Sequence, residues 1–486
     1  MLFDLWKGPT AVDDAFITLR YARSLAEGNG FAYNLGQPVL GTTTPLFALL
    51  VAFLHTLIGV DYTTLAFAIA VIAHAASAVL LAILGARYGH SLAGWVAGLL
   101  LAVAPLMIAV SVGCMETSLF ILLTLWVLLP RGGHPALSAD VAAALAVLVR
   151  PEGVLTAALH LFRAAGSGRL RRACTVLAAV ILPWAAFATY YFGSPVPNSV
   201  VAKWRIRGSS SGMIEGFWNA MASTFLGFDT MFMRLTEPLV WQLWGLRIVI
   251  PYPLLLLNLA SGLLLLSAGV AGMRYLWRHN MGRGLIFFTS AYVGLYVITG
   301  PVFFAWYAAP ILPLVNLAAA IGVAEILKRR ISAVGFRRAA AAIITAAALA
   351  LAAGQSLRMT SAWPDEREVH YRRIIEWLGP LAQSPSTLIA AMEVGAPGYY
   401  SRARMLDLCG LVSPEMADRS IAQAIEQFQP AAVIAAPLGF AETESSPAFQ
   451  RDYRLAAALP WRLNPFLRTA VFVRRDVAVP AQPLDP

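Results

Sequence analysis

Two adjacent acids, Asp13 and Asp14, open the stretch VDDAFITLRYARSLAEGNGFAYN near the start of the chain. A carboxylate at the start of a helix has two uses. It can cap the helix and meet its positive dipole end, worth about 1 kcal/mol. Held in place, it can also take a proton from a reacting group. A helix N-terminus lowers the carboxylate pKa and weakens the base, whereas burial near a membrane works the other way. Further charges lie in GCMETSLF (Glu116) and VRPEG (Arg150 and Glu152). Near a bilayer such groups are costly unless they face a cavity or a partner, so these three are an internal ion-pair set or part of a site. GSPVPNSVVAKWRIR sets Lys203, Arg205 and Arg207 beside apolar residues. That pattern suits a lipid phosphate and equally a snorkelling interfacial helix. Tyr307, in WYAAPILP, fits a site edge or an ordinary aromatic belt. MEVGAPGYYSRARMLDLCGLVSP puts Glu393 and Asp407 at strand ends, where loops often carry binding groups. No phosphate-binding loop, dinucleotide fingerprint, zinc-protease helix or serine-hydrolase elbow is present, and the seven His lack ligand spacing.

The elements that must position these groups are membrane helices. Of 486 residues, 59% are hydrophobic and only 13% charged, and the mean hydropathy is +0.68. A bilayer span needs roughly 20 apolar residues, and the chain offers about ten such runs, some short. They lie near 65–86, 92–112, 118–129, 139–149, 154–165, 174–192, 254–273, 285–299, 307–327 and 339–357. The fold class expected is a polytopic α-helical membrane protein. The net charge of +10 follows from Lys and Arg gathering in cytoplasmic loops and calls for no nucleic acid. Basic clusters at Arg87, Arg131, Arg163–Arg172, Arg274–Arg283 and Lys328–Arg338 fall on every second loop, which places the acids and everything after Leu357 outside. Thr44 then caps an interfacial or re-entrant helix begun by Pro45. Residues 1–357 form the membrane domain, with a first external loop (1–63) and a long external loop (193–253). Residues 358–486 form a small extracytoplasmic α/β domain. Its strands are TLIAAM, RMLDL, AAVIAA and TAVFVRR, and its helix is PEMADRSIAQAIEQF. Cys114, Cys174 and Cys409 are too scattered for a disulfide framework or a zinc site.

Taken in order, DDAFITLRYARSLAEGNGFAYN, GTTTPLF, GCMETSLF, RPEG, PNSVVAK, WYAAPILP and LDLCGL resemble a bacterial family of GT-C fold glycosyltransferases. The family includes the terminal arabinofuranosyltransferases of the mycobacterial cell wall. More distantly it is similar to the protein O-mannosyltransferases and the lipid A aminoarabinose transferase. The resemblance implies a polyprenyl-phosphate sugar donor, used on the outer face of the bacterial cytoplasmic membrane, and an envelope glycan, lipid or protein acceptor. It implies Asp13 as the catalytic base, with Asp14 beside it. It puts Lys203 on the donor phosphate; Arg205, Glu116, Arg150, Glu152, Tyr307 and Asp407, singled out above by residue type and place, are the further candidates for binding the lipid phosphate and substrate. No cofactor is required, although Asp13 and Asp14 could hold a divalent metal weakly. Members of the family carry a membrane helix ahead of the acidic pair, which would raise the count to about eleven spans; this sequence begins MLFDLWKGPTA. The rival reading is a transporter or lipid flippase, which would also use intramembrane acids but commonly shows internal repeats, and none is evident.

Overall fold

The structure, a computed structural model, describes residues 8–129, 136–205, 212–214, 216–217, 240–243, 246–249, 266–278, 282–361, 366–436, 440–460, 468–479 and 484. Arg131, Arg207, most of the 193–253 loop and the start of the 254–273 run lie outside them.

The chain begins with α1 (Asp13–Ala26) and α2 (Pro45–Ile58). The long α3 (Tyr62–Arg87) follows, with Asp61 capping it through the Thr63 and Thr64 amides. Next come α4 (Ser91–Ala102), α5 (Pro105–Val112), α6 (Thr117–Leu128), α7 (Leu137–Val149), α8 (Gly153–Gly166), α9 (Leu170–Phe192) and α10 (Asn198–Arg205). A two-stranded antiparallel ribbon, β1 (Val240–Leu243) and β2 (Leu246–Val249), precedes a helix over 266–278. The membrane domain closes with α11 (Arg283–Thr299), a 3₁₀ turn at Ala305–Ile311 running into α12 (Leu312–Arg330), and α13 (Val334–Ser361). Among the described residues, four helices are long and apolar enough to cross a bilayer: Tyr62–Arg87, Leu170–Phe192, Ala305–Arg330 and Val334–Gly354. A fifth is counted if α4 and α5, bent by 48° at their junction, make one span. The other expected crossings that lie wholly among the described residues are shorter helices: α6 has 12 residues, α7 has 13, α8 has 14 and α11 has 17. The sequence explains why α6 and α7 are short. GCMET and VRPEG put charged side chains and turn formers where an unbroken span would need apolar residues. The 14-residue α2 is also too short to cross; Thr44 holds its cap position and Pro45 its first turn. The Thr44 hydroxyl, however, bonds Thr18 and Thr42 instead of capping.

The C-terminal part is a five-stranded sheet of order β4-β3-β5-β7-β6. Its strands are β3 (Leu388–Ala391), β4 (Arg404–Asp407), β5 (Ala432–Ala435), β6 (Tyr453–Pro460) and β7 (Arg468–Arg474). The first three pair in parallel, and β7 and β6 continue the sheet antiparallel. The central strand β5 is buried from Ala432 to Ala435, as a strand covered on both faces must be. Helix α14 (Glu366–Leu378) leads into the sheet, α15 (Gly395–Tyr400) follows β3, and α16 (Ile421–Phe428) precedes β5. The expected single helix over 414–428 is broken. Pro414–Asp418 is a 3₁₀ turn, and a capping box of Ser420 and Gln423 starts α16 afresh. Strand β6 was not foreseen, because YRLAAALP reads as readily as a helix.

Candidate active site

The acids stand at the start of α1, whose apolar side carries Ile17 and Tyr21, both buried. In fact Ala15 through Ala22 are all buried, because α2 packs on one side and the C-terminal sheet domain on another. Neither acid caps the helix. Val12 holds the cap position without a side-chain bond, so Asp13 and Asp14 fall in the first turn. Asp13 turns instead to the domain after β3. Its Oδ2 accepts from the Gly395 amide at 3.0 Å and its Oδ1 from the Ala396 amide at 2.8 Å. Burial, with the Glu393 carboxylate and then Asp14 adding to it, outweighs these two bonds and holds the Asp13 carboxyl well above the usual range. A carboxyl so raised is a better base than a free one.

Asp14 faces the other way, toward the interhelical space. Its Oδ2 lies 3.7 Å from Lys203 Nζ on α10. Lys203 also donates to the Tyr307 hydroxyl at 3.5 Å and sits 5.6 Å from the Phe304 ring centroid. Burial works to lower the Lys203 pKa, but Asp14 and Tyr307 outweigh it and raise the ammonium above its usual value. A fixed cation, an acid and a phenol thus converge from three separate segments.

Behind them lies a buried ion-pair set. Arg150 clasps Glu152 with two bonds, Nε to Oε2 at 3.2 Å and Nη2 to Oε1 at 2.9 Å. Its Nη1 donates to Glu116 Oε1 at 2.9 Å and to the Thr117 hydroxyl at 3.0 Å. The Tyr296 hydroxyl donates to Glu152. These residues join the ends of α6, α7, α8 and α11, and the guanidinium's donors are taken up within the protein. Glu116, Arg150 and Glu152 therefore form a neighbouring support to the Asp14–Lys203 pair, with Arg150 close enough to act electrostatically on Lys203.

Asp407 closes β4, at a strand end as the sequence suggests. It is fully buried, and its oxygens accept the Cys409 and Val412 amides, each at 2.9 Å. The carboxylate is turned into its own loop, where these two backbone amides compensate it. Burial raises its pKa to about 6 against those bonds. The loop it shapes meets α10: Asn198 Nδ2 donates to the Gly410 and Leu411 carbonyls at 2.8 and 2.9 Å. The helical backbone of α10 reaches Arg205, whose side chain lies outside the described residues. A cleft of about 410 Å³ is lined by Pro9, Thr10, Ala11, Phe16, Thr63, Glu368, Arg372 and Tyr400. Among the described residues no group of three His, Cys, Asp or Glu is placed to hold a metal ion, and the three cysteines are unpaired with one another.

Sequence reasoning missed Arg20, Gly395, Ala396 and Tyr296. Arg20 had a signal: a charge on the inward side of an apolar helix. Buried, it donates to the Tyr33, Gly398 and Ala403 carbonyls at 2.7, 2.7 and 2.9 Å. The amides of Gly395 and Ala396 had none, since any residue but proline supplies one.

Residues 358–479 match a family described as Domain of unknown function (DUF8728). No curated protein sequence matches the chain. Among solved structures, the chain is similar to ArnT from Cupriavidus metallidurans, both in its apo state and bound to undecaprenyl phosphate. Each comparison gives a TM-score of 0.56 and 13% identity over 99% of this chain and 97% of that one. It is also similar to the oligosaccharyltransferase of Archaeoglobus fulgidus, with a TM-score of 0.55 and 14% identity over 99% of this chain and 74% of that one. These likenesses extend over the membrane helices and the C-terminal domain together, and they show that the chain shares the overall fold of these structures.

Proposed function

We propose that this protein is a membrane glycosyltransferase. It moves a sugar from a polyprenyl-phosphate donor to a cell-envelope glycan, lipid or protein acceptor, with inversion, at the outer face of the bacterial cytoplasmic membrane. The observation that carries the reading is the convergence of Asp14, Lys203 and Tyr307, with Asp13 next to Asp14 and held by the C-terminal domain, on a fold shared with ArnT, which has been solved with undecaprenyl phosphate. The sequence motifs add the arabinofuranosyltransferase family as the relative of choice.

In the proposed step, an acceptor hydroxyl oxygen attacks the anomeric carbon. The bond from that carbon to the phosphate oxygen breaks, and the lipid phosphate leaves with the electron pair. The acceptor proton passes to Asp13. Each Asp13 oxygen keeps a lone pair beyond its amide bond, and its raised proton affinity suits a general base. Lys203, held charged by Asp14 and Tyr307, stabilises the charge that grows on the leaving phosphate. The Arg150 set keeps the helix ends beneath them in place.

The test is transfer by membranes or purified full-length protein supplied with radiolabelled polyprenyl-phosphate sugar. Label should appear in an envelope fraction, and a soluble nucleotide sugar alone should give none. Full turnover from the nucleotide sugar without a lipid intermediate would sink the proposal. Movement of intact donor across the bilayer with no transfer would favour the flippase.

A further inference from the structure

The hold on Asp13 comes from the opposite end of the sequence. Val394 is the cap residue of α15 and Gly395 to Gly398 form its first turn, and this segment meets the acidic helix and Tyr33. The Val394 carbonyl accepts from the Tyr33 hydroxyl. The Gly395 and Ala396 amides bind the two Asp13 oxygens, and the Gly398 carbonyl accepts from Arg20 at 2.7 Å. The approach is closer than a side chain permits. A Cβ on Gly395 would fall on the Asp13 carbonyl oxygen and within 2.8 Å of its Cγ. A Cβ on Gly398 would fall on the Tyr33 hydroxyl and within 2.6 Å of Arg20 Nη1. The charged groups around Asp13 are Asp14 on the same helix, Glu393 just before the segment, and Lys203 facing Asp14. Cys409, in the next loop, is also within electrostatic reach.

We propose that the segment 394–398 of the C-terminal domain is a working part of the transfer site, in which Gly395 and Ala396 are positioning residues that fix the Asp13 carboxylate. Gly398, through Arg20 and Tyr33, anchors the helix that carries it. The inference rests on the transferase reading above, and it gives the domain that matches DUF8728 a task. A carboxylate at the start of a helix can turn about its side-chain bonds. Two amides in the first turn of α15 stop that rotation, and a base misplaced by 1 Å can lose about 10² in rate. No side chain of α1 supplies the same hold, because its cap residue is Val12.

The test uses the full chain and two readouts. In transfer assays G395A should lower kcat about 10²-fold while the KM for the polyprenyl-phosphate donor stays within about twofold, since Lys203 is untouched. In hydrogen exchange, D13A should speed exchange of the peptide spanning 393–400 at least about tenfold and leave 421–436 unchanged; D14A should leave both at the parent rate. Parent-like kcat in G395A overturns the proposal, and so does an unchanged 393–400 peptide in D13A. Should G395A fail to accumulate, G398A, which presses on Arg20 and Tyr33, should show the same loss of kcat at constant KM; a parent-like kcat there overturns it equally. A parent protein that transfers no sugar from the lipid donor defeats the transferase reading instead, and the exchange measurement then still decides whether the domain holds Asp13.

Discussion

Lys203 Nζ stands 3.7 Å from Asp14 Oδ2, with both side chains about 30% exposed. A pair so placed adds little to stability, about 0–1 kcal/mol. Its value lies in keeping an ammonium charged and aimed beside Tyr307. K203A should therefore melt close to the parent yet raise the KM for a polyprenyl-phosphate donor. Loss of one charge-assisted bond costs about 1.5–3 kcal/mol, or roughly 10–100-fold. Donor titration with labelled substrate is the measurement, and an unchanged donor KM removes Lys203 from the phosphate.

The two acids separate by substitution. D13N keeps one acceptor for the amides of Gly395 and Ala396 but cannot take a proton, so transfer should drop about 10²–10⁴-fold with only a modest loss of stability. D14N should be milder. In the parent, kcat/KM should rise with pH through a midpoint above the usual carboxylate range, because burial and Glu393 raise the Asp13 pKa, and level off once Asp13 is ionised. The reverse ranking, D14N dead and D13N active, would assign the proton to Asp14, which has the more open carboxylate.

Arg150 answers for the fold. R150A leaves the buried Glu116 and Glu152 facing each other without their cation. Breaking a buried pair costs about 3–5 kcal/mol, so R150A should accumulate poorly or melt far below the parent. A triple replacement, R150M with E116Q and E152Q, removes all three charges and should recover much of that stability. If R150A alone is as stable as the parent, the set is not a packing element.

The fold class was legible in the hydropathy, because a run of apolar residues in a membrane protein has one main use. Four of the five sheet strands were legible as well, since short apolar runs such as AAVIAA and TAVFVRR were bounded by turn formers. The site was legible as residue types: Asp13, Asp14, Lys203 and Tyr307 were singled out one by one. Their arrangement was not, because it depends on contacts hundreds of residues apart. Asp13 read as a cap on local grounds, and only the arrival of Gly395 in space turns it elsewhere. The surroundings of Asp407 were not legible either. A buried acid wrapped in backbone amides and an acid awaiting a ligand have the same one-letter code.

Sidedness is open to a direct test. The alternation of basic loops along the chain predicts a C-terminal domain outside the cytoplasm, and its bonds to Asp13 and Arg20 tie the acidic helix to the same side as that domain. Alkaline phosphatase fused at Pro486 should be active and a green fluorescent protein fused there dark. A bright fluorescent fusion would reverse the topology and move the proposed site to the cytoplasmic face.

Asp407 gives the C-terminal domain a pH dependence whose sign can be worked out. Its pKa is about 6 in the folded protein against 3.8 for a free carboxyl. Between those values the folded state holds a proton that the unfolded chain has lost. Its contribution to stability is therefore fully present below the lower value, falls as pH rises, and is gone above about 6. D407N is neutral throughout and lacks this slope. Its destabilisation relative to the parent should be larger at pH 5 than at pH 7, by about 1 kcal/mol. Denaturation of parent and variant in matched buffers measures that difference directly, and because both proteins share every other titrating group, the rest of the pH dependence cancels. A cost that grows toward pH 7 would mean that the Cys409 and Val412 amides hold the ionised carboxylate more strongly than burial penalises it.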